Sequence, residues 1–164
     1  DIGNLPLEVC ETINGSWGVN LKDRQHKSKK NLVQYLIKAA GYDSNLLLNV
    51  GPMPNGKIQK EHIKSLKEIG DWVKINGETI YGTSRGPIDP TDEIASTQKD
   101  NTIYIHLLDN RKTYFIEGYN PKIKKISYYH SNKKVKYQKT KSGLIINVDD
   151  NELDEIDTII ELEI

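Results

Sequence analysis

Asn45-Leu46-Leu47-Leu48-Asn49-Val50 is the run that decides how this chain folds. It is too short for a helix and apolar on both faces, the pattern of a parallel strand covered on both sides. Gly51-Pro52-Met53-Pro54-Asn55-Gly56 breaks the chain directly after it. Upstream, Leu5 to Ile13 reads as a short buried strand running into the Asn14-Gly15-Ser16 loop. A helix follows, with Ser28 as its cap, Leu32, Val33, Leu36, Ile37 and Ala40 at helical spacing, and Gly41 as its stop. Downstream, Ile63, Leu66, Ile69 and Val73 form one stripe of a second helix that ends near Asn76-Gly77. Strand, loop, helix, repeated twice, suggests the end of a (β/α) barrel.

After Tyr81-Gly82-Thr83 the period falls to two. Ile103, Ile105 and Leu107 alternate with Tyr104, His106 and Leu108, and Leu144, Ile146 and Val148 with Ile145 and Asn147. Tyr114 to Ile116, Ile123 to Tyr129, Val135 to Gln138 and Asp157 to Leu162 add further strands. Asp109-Asn110, Asn120-Pro121, Ser131-Asn132 and Ser142-Gly143 supply the turns. Short strands joined in this way predict an antiparallel β-sandwich or barrel-like sheet. The expected fold is therefore α/β followed by all-β: residues 1–83 as the C-terminal portion of a barrel, 84–101 as a linker, and 102–164 as the β-sandwich.

Composition narrows the function classes. The 23 basic and 23 acidic residues cancel, which argues against a nucleic-acid partner. No apolar run approaches the roughly 20 residues of a membrane helix, so no membrane partner is expected. A single Cys excludes an internal disulfide framework and a Cys-rich zinc site. Asp1-Ile2-Gly3-Asn4-Leu5-Pro6 has neither a basic nor an apolar leader region, which reads as a piece of a longer protein. Ten Lys and Arg from Arg111 to Lys141 face eight acids from Asp149 to Glu163, and these charges are expected to compensate each other across the sheet.

Two carboxylates lie near the end of the first strand, in Leu7-Glu8-Val9-Cys10-Glu11-Thr12. Residues three apart on a strand point to opposite faces, so Glu8 shares its face with Cys10 and Thr12 while Glu11 does not. A carboxyl group held among Leu, Val and Trp side chains has its charged form disfavoured, which suits it to protonate a leaving group. Surface glutamates in a loop are the plainer reading of the same residues. Trp17, between Ser16 and Gly18, suits stacking on a sugar ring and suits core packing equally well. His26, His62, His106 and His130 show no metal spacing and read as surface or local hydrogen-bonding residues; no metal and no cofactor are expected. Asn49, at its strand end, either donates to a ligand or fixes the turn at Gly51-Pro52.

Four ordered stretches resemble a known family. Glu8-Val9-Cys10-Glu11-Thr12-Ile13-Asn14-Gly15-Ser16-Trp17-Gly18 is similar to the Trp-Glu-x-Cys…Ser-Trp-Gly-Tyr motif of the α-L-fucosidases of glycoside hydrolase family 29. Asn45 to Pro52, Asn55-Gly56, and Ile69-Gly70-Asp71-Trp72 through Asn76 to Thr83 follow in the family's order. The likeness is close over residues 5 to 83 and only of type beyond. Leu7 and Val19 depart from it, standing where many members have Trp and Tyr. It implies retaining hydrolysis of terminal α-L-fucose from fucosylated oligosaccharides or glycoconjugates, in a periplasmic or secreted setting. Glu8 falls on the position associated with the acid/base, Glu11 is its competitor, and Trp17 falls on the aromatic lining the fucose pocket. The nucleophilic Asp would lie in an N-terminal part of the same protein absent from this chain. Two other readings stand beside it. The sandwich, with six of the nine Tyr between Tyr104 and Tyr137, could be a non-catalytic carbohydrate-binding module, or the whole chain a scaffold with no pocket at Glu8 and Trp17.

Overall fold

In the computed structural model, which describes residues 5–164, Leu7–Thr12 (β1) and Ser44–Asn49 (β2) pair in parallel. Glu8 lies beside Asn45 and Thr12 beside Asn49. The opening Asp1-Ile2-Gly3-Asn4 lies outside the described residues. Between the strands runs the helix Lys29–Gly41 (α1), and Ser28 caps it as expected, its hydroxyl accepting the Asn31 N–H. The other end differs from expectation. Asp43, at φ 58°, is the left-handed residue, whereas Gly41 is the last helical one. Gly41 is small for another reason: a Cβ there would stand 2.7 Å from Pro90 Cγ.

Lys60–Asn76 (α2) passes into a single 3-10 turn over Gly77–Thr79, so it ends where Asn76-Gly77 predicts. Its docked face is not the expected stripe. His62, Ser65, Trp72 and Asn76 are buried and Ile69 and Val73 half-buried, while Ile63 and Leu66 remain 40% exposed. Periodicity identifies an amphipathic helix but not which edge of its apolar stripe meets the protein.

Residues 84–101, expected as a linker, contain Ser84–Arg85 (β3) and Ile94–Lys99 (β4). β4 forms a hairpin with Thr102–Leu107 (β5) across Asp100-Asn101, where Asp100 takes φ 52°. Polar side chains hid this strand from the alternation. Ser96 and Thr97 are fully buried because their hydroxyls are satisfied: Ser96 Oγ bonds both the N–H and the carbonyl of Ile88, and Thr97 Oγ1 donates to Thr79 O at 2.6 Å.

The later strands, Thr113–Glu117 (β6), Lys125–Tyr128 (β7), Lys136–Lys139 (β8), Gly143–Asn147 (β9) and Thr158–Glu163 (β10), fall close to their expected positions. They build two antiparallel sheets, ordered β3-β4-β5-β10-β7 and β6-β9-β8. One core joins the two sheets: Ile103, Ile105 and Leu162 from the larger, Tyr114, Ile116 and Ile146 from the smaller. The larger sheet also presents Ala95, Tyr104 and Ile159 to Val33 and Ile37 of α1 and Trp72 of α2. Gln34 Nε2 seals that contact by donating to Leu108 O at 2.6 Å and Ile156 O at 2.8 Å. The β1–β2 pair is thus carried on helices anchored to a large sheet.

Two histidines depart from the surface reading. His62 is buried, and His106 sits wholly enclosed with its Nδ1 2.7 Å from Oδ2 of the equally enclosed Asp157. Five of the six tyrosines of this half serve the core: Tyr104, Tyr114 and Tyr128 are buried, Tyr119 and Tyr129 half-buried. Tyr114 donates to Asp109 O at 2.8 Å, and Tyr128 accepts the Asp149 N–H. Tyr137, by contrast, is 36% exposed. The charge runs compensate through Lys133–Glu152 at 2.6 Å, Lys112–Asp150 at 2.8 Å, and Lys125 placed opposite Glu163 in the β7–β10 register.

Candidate functional site

At the C-terminal end of β1 the chain turns out into the loop from Ile13 to Lys27. Lys27 closes its base: Nζ donates to Thr12 O at 2.8 Å and reaches Asn14 O at 3.5 Å, and the Lys27 N–H bonds Ile13 O at 2.8 Å. Asp23 closes its middle, accepting from Gly15 N at 2.9 Å and Gln25 N at 2.9 Å, with Ser16 Oγ at 3.4 Å. The Gln25 N–H in particular holds the Asp23 carboxyl below its usual range. Trp17 stands at the outer edge of this loop, 56% exposed, so it is no core residue.

Glu11 points toward α1. Its Oε1 accepts the Thr12 N–H at 2.8 Å and lies 3.1 Å from Lys27 Nζ, with the Tyr35 hydroxyl also bonded to it. Partial burial alone would raise the Glu11 carboxyl; those three donors outweigh it and hold the group below its ordinary value. In this setting the ionised form of Glu11 is the favoured one.

Glu8 is exposed on the other face, with Cys10 Sγ 3.8 Å from its Oε1. The enclosure among Leu, Val and Trp side chains expected for it is not found among the described residues. It opens into a cleft of about 510 Å³ shared with Asn45, Ile80 and Tyr81. That cleft lies toward the beginning of β2, beside Asn45, whereas the Trp17 loop meets β2 at Asn49. At 3.3 Å per residue the two places are about 13 Å apart along the strand. Glu8 and Trp17 are not brought together.

Asn49, at the end of β2, reaches across to the loop after β1. Its Nδ2 donates to Trp17 O at 2.6 Å, tying the loop after β1 to the end of β2. Lys27 and Tyr35 were not anticipated from the sequence, since nothing in their spacing points at Glu11 across the α1 connection.

Residues 1–78 match the family model described as alpha-L-fucosidase. Human plasma alpha-L-fucosidase is 35% identical over 79 residues, covering 46% of this chain and 17% of that protein, and the alpha-L-fucosidase of Dictyostelium discoideum is 35% identical over 79 residues, covering 47% of this chain and 17% of its own. Among solved structures, alpha-L-fucosidase isoenzyme 1 of Paenibacillus thiaminolyticus superposes with a TM-score of 0.83 at 32% identity, over 97% of this chain and 40% of its own. The alpha-fucosidase of Thermotoga maritima superposes with a TM-score of 0.87 at 25% identity, again over 40% of its length. The chain thus spans well under half of the relatives it matches. Through residues 1–78, this chain is similar in sequence to the α-L-fucosidase family, and its fold matches a part of the solved α-L-fucosidases.

Proposed function

We propose that the chain is the closing section of a longer α-L-fucosidase that releases terminal α-L-fucose from fucosylated glycans with retention of configuration. The observation that carries this reading is the family match over residues 1–78, the stretch holding both the strand pair and the Trp17 loop. A Thermotoga maritima relative, 27% identical, was solved in complex with fucose. In the proposal β1 and β2 are the last strands of a (β/α) barrel and the two later sheets form a β-sandwich that braces it. Leu7, Val9 and Leu47 on the strands and Ile63 and Leu66 on α2 are 37–45% exposed, as apolar side chains are when further strands and helices are to cover them.

In a retaining glycosidase one carboxylate attacks the sugar and a second, about 5–5.5 Å away, protonates the leaving oxygen and then activates water. Barrel chemistry gathers at the C-terminal ends of the strands. Trp17 stands at that end of β1, and in this reading its indole faces the fucosyl ring. Glu8 is the second residue of β1, at the end of the strand away from Trp17, and Glu11 is tied to Lys27, so this reading assigns both catalytic carboxylates to the rest of the protein. The test is hydrolysis of 4-nitrophenyl α-L-fucoside by the longer protein, with proton NMR of the first sugar formed. α-Fucose is expected first; β-fucose first would overturn retention, and no release would overturn the activity. The 164-residue chain alone is expected to be inactive.

A further inference from the structure

Trp17 is held by its main chain, because a ring 56% exposed is not directed by packing. Two contacts fix that main chain against the end of β2. Asn49 lies on the same strand face as its register partner Thr12, and its Nδ2 donates to Trp17 O at 2.6 Å. Two residues on, Gly51 is buried under the same loop: a Cβ there would stand 2.5 Å from the Gly18 carbonyl carbon and 2.7 Å from Val19 N. Both obstacles are backbone, which cannot swing aside. Gly18 itself faces open space, so the close approach belongs to Gly51 alone.

We infer that Asn49 and Gly51 are positioning residues that latch the loop after β1 onto the end of β2 and so set where the Trp17 ring stands over the sugar. The latch rests on the geometry just given; its bearing on sugar binding rests on the fucosidase reading above. Asn49→Asp is the sharpest probe, since it keeps the shape and replaces the donor with an oxygen facing a carbonyl oxygen. Gly51→Ala is a second probe and Gly18→Ala the control.

The experiment uses the longer protein labelled with 5-fluorotryptophan, the Trp17 resonance being assigned through Trp17→Phe. Asn49→Asp is expected to raise KM for 4-nitrophenyl α-L-fucoside about fivefold, the scale of one lost neutral hydrogen bond, with kcat unchanged. It should add nothing when combined with Trp17→Ala, and it should shift or broaden the Trp17 fluorine resonance while that of buried Trp72 stays in place. Gly18→Ala should change neither readout. An unmoved Trp17 resonance in Asn49→Asp overturns the latch, and a KM effect additive with Trp17→Ala overturns its role in sugar binding. An inactive wild-type protein instead removes the fucosidase reading, and the resonance still decides the latch.

Discussion

Lys27 Nζ stands 3.1 Å from Glu11 Oε1 while donating to the Thr12 carbonyl at 2.8 Å, so one ammonium group joins the helix-facing carboxylate of β1 to the root of the Trp17 loop. Both side chains are about one quarter exposed, which leaves the pair only partly screened. The folded state therefore prefers Glu11 ionised.

That preference sets a pH dependence. With the folded-state carboxyl lowered, its stabilisation is present above the usual carboxylate value of 4.5 and is lost as pH falls through the lowered value. Glu11→Gln should cost about 1 kcal/mol at pH 7, and its gap from wild type should close on acidification. Urea denaturation from pH 7 to pH 3 measures this; a gap that widens toward low pH would contradict the sign.

Glu8→Gln in the longer protein should lower activity on activated aryl fucosides and on glycans with poor leaving groups by the same factor, below about tenfold, because its place beside Asn45 is remote from the Trp17 end of the strands. A general acid behaves otherwise. Its loss costs about 10²- to 10⁴-fold and falls chiefly on poor leaving groups, and that pattern would return the acid/base role to Glu8.

His106 and Asp157 form a wholly buried pair, with His106 Nε2 and Asp157 Oδ1 lacking hydrogen-bond partners among the described residues. Burial pushes the Asp157 carboxyl up and His106 opposes it. Removing one partner strands the other, so His106→Leu or Asp157→Ala should each cost about 3–5 kcal/mol, and the double variant less than their sum. A double-mutant cycle by urea denaturation reads the coupling; strict additivity would show that the two groups do not depend on each other.

Gly41→Ala should destabilise the chain by about 1–3 kcal/mol despite the better helix propensity of alanine, because its Cβ meets Pro90 at 2.7 Å. Gly70→Ala, in α2 with open space around it, should instead stabilise by about 0.5–1 kcal/mol. Thermal or urea unfolding of the two variants separates helix propensity from tertiary contact.

Much of the framework is legible in the residues. Ser28 caps α1 through a bond to a residue three places on, and Ile103, Ile105 and Leu107 fill one face of β5 because a pleat alternates strictly. β4 was not legible, since Ser96 and Thr97 look like loop residues until Ile88 and Thr79 are seen to satisfy them; the Asp100-Asn101 turn before β5 was the available signal. The docked side of α2 was not legible either. Ile63 and Leu66 share a stripe with Ile69 and Val73, and only the position of the large sheet decides which of them it covers.

The site divides in the same way. By itself the sequence determined the periods, the caps and breaks, the two opposite faces of Glu8 and Glu11, and the motifs by which residues 5 to 83 resemble the fucosidases, because each of these depends on neighbours within a few residues. Only the tertiary structure decided that Glu11 meets Lys27, that Asn49 holds Trp17, that His106 meets Asp157, and that Glu8 stands at the other end of the strand pair from Trp17. Those relationships join residues separated by a long loop, a helix or several strands. Local periodicity fixes the direction in which a side chain leaves its element, but the packing of whole elements fixes what it meets.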